Sequence, residues 1–478
     1  MEQQRSFGVI GAGNMGSGIA QKLATEGCEV VLVDLDQAAA DRGMERIRTL
    51  LGEAVERRIF SEEEVARILS RIRPSCRLED CSRCELVIEA VFEELELKRK
   101  LFAQLDEICA PSTRLATNTS SFYVKDLAAA TKRADRVVGM HFFYHPAKNR
   151  LVEVIPHEST SEETRSWAWS FAETVGKTPI HSADRPGFVV NRYFVPWLNE
   201  AVRLLEEKVA SLATIEAASK KAFRIGMGPF ELMNVTGVPI AWHAATTLGK
   251  ELGSFYEPAP LLAEKGERGE NWQLEGEVDE SKFEAVADRL LGVSFQIACT
   301  MVDEGVCSIE DCDIGARVGL RWSEGPFQLI NRDGLERARA RVEALVAHYP
   351  DLKMPALLEQ AKGPFAFELV KAEVEDGLAE ITLNRPDALN ALNEELVAQL
   401  AVKFDEMDRR EDVSTIVLRG AGKAFVAGAD IRYFVKRIEA EDFQGIQDFT
   451  EKGQELYRRI DESEKLVIAR LDGLSLGG

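Results

Sequence analysis

The sequence predicts three parts in order: an α/β domain on a parallel sheet, an all-α domain carrying a tandem helical repeat, and a second, shorter α/β domain. Three observations predict this. Up to Asp184, short β-branched runs alternate with helical patterns, the rhythm of a parallel sheet flanked by helices. After "DRPGF" (Asp184 to Phe188) the strand signals fade and amphipathic helix takes over, with Pro186-Gly187 as the natural break. From about Val370 the alternation returns. The expected domains are 1–184, two helical copies at 185–280 and 281–368, and 369–478.

The first strand runs into "GVIGAGNMGSGIA", where Gly11, Gly13 and Gly16 form G-x-G-x-x-G at the turn from strand to helix. In that setting the spacing marks the dinucleotide turn of a Rossmann domain. The glycines allow the tight turn, the approach of backbone to a pyrophosphate and close helix packing, and the helix N-terminus offers N–H groups to the phosphates. Asp34 closes the second strand, "EVVLVD". A carboxylate there accepts from both hydroxyls of an adenosine ribose and repels a 2′-phosphate, so the expected cofactor is NAD and not NADP.

"LVIEAV", "RLATNTSS", "RVVGMHFF" and "LVEVIP" supply the later strands, with the helical "EELELKRKLFAQLDEI" between the first two. His141 ends one strand and Glu153 lies in the next, inside an apolar run where a carboxylate needs a partner. Together they make a general base: the imidazole takes a hydroxyl proton while the carboxylate fixes its tautomer and stabilises the imidazolium.

The helical part repeats itself without gaps at an offset of 97 residues. Arg192 falls on Arg289, Ala201 on Ala298, Glu207 on Glu304, Val209 on Val306, Ser211 on Ser308, and Gly228-Pro229-Phe230 on Gly325-Pro326-Phe327. Between the copies, "AEKGERGENWQLEGEVDES" (Ala263 to Ser281) is charged and glycine-bearing, the pattern of a solvated connector. The third part begins with "LAEITLNRP", the helical "NEELVAQLAVKFDEMDRR" and "VSTIVLRGAG".

Composition narrows the partners. The 80 acidic residues against 59 basic ones give a net charge of −21, which disfavours a nucleic-acid backbone or an anionic membrane. A strand begins at about Phe7, leaving no room for a secretory leader, and no apolar run is expected to approach the ~18 residues of a membrane span. A cytoplasmic or organelle-matrix protein is the expectation. Eight cysteines include Cys81 and Cys84 as C-x2-C with Cys76 nearby, and a later group of Cys299, Cys307 and Cys312. Neither group has a clean second ligand pair for zinc, so reduced thiols are the expected reading and no metal is assigned.

The motifs from Gly11 to Gly16, "EAVFEELELK", "NTSS", "HFF", "LVEV" and "PGFVVNR", in this order and spacing, resemble the L-3-hydroxyacyl-CoA dehydrogenases over residues 7 to about 365. The resemblance implies an acyl-CoA thioester substrate. It implies that His141 abstracts the 3-hydroxyl proton as hydride passes to the nicotinamide, that Glu153 supports it, and that Ser120 and Asn191 bind the substrate oxygen. By the same matching Glu93 and Lys98 lie along the cofactor, although a Glu and a Lys five apart on one helix are by themselves more often a solvated pair. The family usually has HFFNP where this chain has "HFFYHP"; Tyr144 and His145 therefore bear on the substrate pocket. Asn191 corresponds to Asp288 in the second copy, which reads as a catalytic copy followed by a structural one. That second copy is expected to substitute for a partner subunit, giving a self-contained dehydrogenase.

"LAEITLNRPDALNALNEEL" and "GAGKAFVAGADIRYF" resemble the enoyl-CoA hydratase/isomerase (crotonase) family over about residues 370 to 478, roughly the first half of such a domain. The resemblance implies an oxyanion hole for the thioester carbonyl, with Ala429 N–H as one donor and Gly478, in the closing "LDGLSLGG", as the other. The family's two catalytic glutamates match nothing in this sequence, so the third part is expected to be a truncated crotonase-like domain. The expected activity is NAD-dependent oxidation of (S)-3-hydroxyacyl-CoA to 3-oxoacyl-CoA, in fatty acid β-oxidation or a related CoA-thioester pathway. The alternative is a β-hydroxyacid dehydrogenase with a C-terminal acyl-CoA-binding module.

Overall fold

The apolar runs fold, in a computed structural model describing residues 5–471 and 473–476, into two compact units. One comprises residues up to 170 with 179–365; the other comprises 171–178 and the chain from 366 onward.

Eight strands form the larger sheet: β1 (Ser6–Ile10), β2 (Glu29–Val33), β3 (Ile72–Ser75), β4 (Leu86–Glu89), β5 (Arg114–Thr117), β6 (Val137–Phe142), β7 (Leu151–Ile155) and β8 (Thr178–His181). Their order is β3-β2-β1-β4-β5-β6-β7-β8. The chain reverses direction across the sheet between β1 and β4, so the carboxyl ends of those strands border a crevice. Phe7, Val9, Leu32, Val87, Ile88 and Val138 are fully buried, as strands covered on both faces require.

Two departures from the expected sheet have physical causes. β6 and β7 pair antiparallel, not parallel, because residues 143–150 are too few for the crossover of roughly a dozen residues that parallel strands need. β3 and β8 are the two edge strands, and each contains a proline (Pro74, Pro179) that disguises it as a loop in the sequence.

The helical repeat folds as two matching sets. Val190–Glu206, Leu212–Phe223, Pro229–Thr236 and Val238–Leu252 in copy one correspond to Phe283–Asp303, the helix beginning at Ile309, Pro326–Asp333 and Leu335–His348 in copy two. Ser211 and Ser308 cap equivalent helices, accepting from the N–H groups of Thr214 and Asp311. Glu216 accepts the N–H groups of Gly228 (2.8 Å) and Phe230 (3.0 Å), and its counterpart Asp313 accepts those of Phe327 (2.8 Å) and Gln328 (3.0 Å). Each carboxylate thus holds the N-terminus of the following Gly-Pro-Phe helix.

The copies pack on one another reciprocally. Arg192 pairs with Glu304, and its counterpart Arg289 pairs with Glu207 (3.0 Å), the counterpart of Glu304. Such mutual pairing is the signature of a two-fold interface, here formed within one chain. The connector is less solvated than expected: a helix runs over Pro260–Arg268, and Trp272 is buried against Phe230 while the Asn234 side chain bonds both its N–H and its C=O. The stretch Glu280–Asp303 also corrects an expectation, being long and apolar enough to cross a membrane; its apolar side chains, among them Leu290, Val293, Phe295 and Ile297, are buried in the helical core instead.

In the second unit β9 (Val370–Glu375), β10 (Leu378–Leu383), β11 (Thr415–Gly420) and β13 (Leu466–Arg470) form a sheet in the order β13-β11-β10-β9, and β12 (Ala424–Ala427) pairs with β14 (Leu474–Leu476). The Glu394–Arg409 helix buries Leu396, Val397, Leu400 and Phe404 in a core with Ile381, Ile416 and Leu418.

Candidate active site

The glycine turn shows which glycines the chain needs for itself. Gly11 has φ +100°, and a Cβ there would lie 2.5 Å from Ala90 O; at Gly16 it would lie 1.7 Å from Gly11 O. At Gly13 a Cβ would meet nothing within 4 Å, so the bare backbone at that position serves something other than packing. It faces the start of the Asn14–Thr25 helix, which is the cradle a pyrophosphate requires. Asp34 accepts the Ala12 N–H (2.6 Å) and the Leu35 N–H (2.6 Å), which fixes its half-buried carboxylate beside the turn. These residues fit NAD.

At the carboxyl end of β4, Lys98 is 1% exposed and bridges two carboxylates: Glu89 (2.6 Å), itself fully buried, and Glu93 (3.0 Å). Glu89 also accepts from Thr117 Oγ1 (2.7 Å) and the Val91 N–H (2.8 Å). Glu93 precedes the Leu95–Ile108 helix and accepts from Thr119 Oγ1 (2.5 Å), the Ser120 N–H (3.0 Å) and the Ser121 N–H (3.1 Å). Partial burial would raise the Glu93 carboxyl, but Lys98 and the Thr119 hydroxyl hold it below the usual carboxylate range. The alternative of a solvated Glu93–Lys98 pair on one helix is therefore overturned. Sequence reasoning missed Glu89, although a carboxylate ending the apolar "LVIE" was the available signal.

His141 and Glu153 are direct partners across β6 and β7, with Nδ1 2.6 Å from Glu153 Oε2. Glu153 is fully buried, and its other oxygen accepts the N–H groups of Val189 (3.1 Å) and Val190 (2.9 Å) at the start of the Val190–Glu206 helix. The carboxylate holds the imidazole proton on Nδ1, which leaves Nε2 as the basic nitrogen. The His141 ring packs against Phe143 (centroids 4.6 Å apart) and Phe188 (5.8 Å).

Ser120 follows β5 and His141 is the penultimate residue of β6, and the two parallel strands are in register from Leu115 with Val137 to Thr117 with Gly139, so both residues lie at the carboxyl end of the sheet. The Asn118 side chain ties the two strand ends together by accepting the Phe142 N–H (2.8 Å). Asn191 is half-buried, one residue beyond the Val190 N–H that binds Glu153. Its counterpart Asp288 instead pairs with Arg341, which also binds Asp333 (2.7 Å). Tyr144 and His145 line a cavity of about 520 Å³ with Asn14, Ser17, Arg42 and Arg46, beside the glycine turn.

The sequence model for the NAD-binding domain of 3-hydroxyacyl-CoA dehydrogenase matches residues 6–185, and that for its C-terminal domain matches twice, at 187–277 and 286–362. A probable 3-hydroxybutyryl-CoA dehydrogenase of Bacillus subtilis is 40% identical over 255 residues, 53% of this chain and 89% of the relative. The chain belongs to the 3-hydroxyacyl-CoA dehydrogenase family. The crystal structure of 3-hydroxybutyryl-CoA dehydrogenase from Escherichia coli K12 is similar with a TM-score of 0.69 at 26% identity, over 75% of this chain and 98% of that one. The (S)-3-hydroxybutyryl-CoA dehydrogenase of Ralstonia eutropha matches with a TM-score of 0.55 at 35% identity, over 58% and 98%. As in the family, the cofactor of this dehydrogenase is NAD.

An enoyl-CoA hydratase/isomerase model matches residues 378–478 of the dehydrogenase chain. Ala429 bridges Leu392 through its neighbours: Leu392 N–H donates to Gly428 O (2.8 Å) and Asp430 N–H donates to Leu392 O (2.8 Å). That pattern turns the N–H of Ala429, an exposed residue, away from Leu392, as an oxyanion donor requires. The second expected donor, Gly478, lies outside the described residues.

Proposed function

We propose that this dehydrogenase oxidises the 3-hydroxyl of (S)-3-hydroxyacyl-CoA thioesters to the 3-oxo group, with His141 as general base. The observation carrying the proposal is the buried His141–Glu153 contact of 2.6 Å, whose carboxylate is held from behind by two backbone N–H groups. His141 Nε2 takes the hydroxyl proton, and Glu153 orients the ring and stabilises the imidazolium. The Ser120 hydroxyl and the Asn191 amide orient the substrate oxygen. Bound NAD supplies the hydride acceptor. Arg42 and Arg46, on the cavity that Tyr144 and His145 wall, supply positive charge for the phosphates of the CoA moiety.

The test is NADH formation from (S)-3-hydroxybutyryl-CoA by the unmodified chain and by His141→Ala. A loss of about 10³-fold or more in kcat is expected. Undiminished turnover by His141→Ala rules out the base assignment, and faster turnover of free 3-hydroxybutyrate than of its thioester favours a β-hydroxyacid dehydrogenase.

We infer further that the second helical copy takes the place of a partner subunit, supported by the reciprocal Arg192–Glu304 and Arg289–Glu207 pairs. Light scattering on the full chain tests this: a stable dimer built through copy one is incompatible with it.

A further inference from the structure

The two copies differ in their second helix, and the difference touches the elements that build the active site. In copy one the Leu212–Phe223 helix is regular and ends at Arg224, which has φ +52°. In copy two the same number of residues runs from Ile309 to Arg321, with φ +59°, but Gly315–Gly319 widen into a π-helical turn. Ala218 and Ala222 of copy one stand at the positions of Gly315 and Gly319. Turns of this kind are frequent at functional sites.

Both glycines mark close approaches to the residues around Glu153. A Cβ at Gly315 would lie 2.9 Å from Val190 Cγ2, at the helix start whose N–H groups hold that carboxylate. A Cβ at Gly319 would lie 2.5 Å from Leu151 Cδ2, on β7 two residues before Glu153. The last carbonyls of a helix lack intrahelical partners, and that of Gly319 accepts from Asn149 Nδ2 (3.0 Å).

Asn149 closes the loop that follows β6. Its Oδ1 accepts the Leu151 N–H (3.0 Å) and its Nδ2 also reaches Tyr144 O (3.4 Å), while His145 O accepts the N–H groups of Lys148 (2.8 Å) and Asn149 (2.8 Å). On its other side the loop lies against the dinucleotide helix, for a Cβ at Gly18 would fall 2.8 Å from Pro146 Cδ. The segment that places Tyr144 and His145 on the wall of the 520 Å³ cavity is therefore clamped between the Asn14–Thr25 helix and copy two.

We propose that Asn149 is a positioning residue for the CoA thioester, and that through it the π-helical turn of copy two sets one wall of the substrate cavity. Asn149 acts through Tyr144 and His145 and not on the reacting atoms, so its loss weakens the hold on the part of the substrate that lies between that wall and Arg42 and Arg46. Copy two is then a component of the substrate site as well as the stand-in for a partner subunit. The inference rests on the reading of this cavity as the place of the CoA moiety.

Steady-state kinetics of the full chain with two thioesters of (S)-3-hydroxybutyrate test the proposal: that of CoA, and that of N-acetylcysteamine, which lacks the phosphates and the adenosine. In Asn149→Ala the KM for the CoA thioester is expected to rise about 5- to 10-fold, with kcat, the KM for NAD and the KM for the N-acetylcysteamine thioester each within about twofold of the unmodified chain. Gly319→Ala drives the turn away from Leu151 and is expected to give the same split, and the double variant to be no worse than either single one, since both break one link. An unchanged KM for the CoA thioester overturns the proposal, as does an equal rise on both thioesters, which marks a general loss of the site's shape. Additive losses in the double variant also overturn it, by separating Asn149 from copy two. Should Asn149→Ala not fold, Gly319→Ala on the same two substrates decides. Failure of the underlying reading has a different signature: an unmodified chain with the same KM for both thioesters has no place for the CoA moiety in this cavity, and both inferences fall.

Discussion

Glu153 faces His141 across the antiparallel β6–β7 pair and, through its other oxygen, binds the first N–H groups of the Val190–Glu206 helix. One carboxylate therefore orients the base and docks the helix that carries Asn191. Glu153→Gln separates the two duties, since the amide oxygen can still accept from Val189 and Val190 while the negative charge beside the imidazole is gone. A fall in kcat of about 10²-fold with little change in melting temperature is expected. Steady-state kinetics with (S)-3-hydroxybutyryl-CoA and a thermal melt measure both, and a variant that melts lower with kcat intact contradicts the electrostatic role.

Lys98 neutralises two carboxylates, one fully buried, from a position that is itself buried. Lys98→Met leaves Glu89 and Glu93 without their cation, and a loss of about 3 to 5 kcal/mol in stability is expected. Arg99→Met, one residue along, removes a surface pair with Glu96 and is expected to cost less than about 1 kcal/mol. Urea unfolding of both variants checks the contrast.

The reach of the sequence ended where pairing depended on folding back. The glycine turn and the His141–Glu153 pair were legible because backbone geometry and a carboxylate in an apolar run each demand a specific answer. The same rule applied to Glu89, yet its cation comes from a helix whose lysine looks solvated in one dimension. The equivalence of Glu216 and Asp313 is invisible in identity matching, because what the copies share is an acceptor for the Gly-Pro-Phe helix and not a residue. The direction of β7 followed from the length of a connection, and the edge strands were hidden by their prolines.

Asp34 follows β2, with one oxygen engaged by the Ala12 N–H of the glycine turn and the other by the N–H of Leu35, leaving lone pairs for ribose hydroxyls. Asp34→Ser removes the charge and keeps an acceptor. The KM for NAD is expected to rise about 10- to 100-fold, and the preference over NADP to shrink. Comparison of kcat/KM with each cofactor reads this; an unchanged preference assigns selectivity elsewhere.

Glu200, fully buried, binds Arg289 of the other copy, Arg203 (3.3 Å) and the Tyr349 hydroxyl (2.9 Å). Its removal takes the buried carboxylate from two guanidinium groups, leaving Arg289 with Glu207 and Arg203 with the carbonyls of Phe255 and Glu257. Glu200→Ala is expected to lose about 3 to 5 kcal/mol, against less than about 1 kcal/mol for Glu207→Ala at the partly exposed pair with the same arginine. Equal losses in chemical denaturation indicate that the copies are held by apolar packing alone.

Asp313 holds the Gly325-Pro326-Phe327 turn from a fully buried position, and burial, opposed by the N–H groups it accepts, pushes its carboxyl up to about 7. The unfolded chain titrates near 3.8, so the folded state binds the proton more tightly. The associated stability is fully present below about pH 4 and is lost as pH rises through 7, by an amount of up to about 4 kcal/mol. Asp313→Asn cannot titrate and lacks this slope. Trp197 and Trp322, whose rings lie 5.5 Å apart in the same helical core, report unfolding there by fluorescence. Urea melts at intervals between pH 4 and 8 are expected to show the advantage of the unmodified chain over Asp313→Asn shrinking as pH rises; parallel curves mean that Asp313 stays ionised throughout.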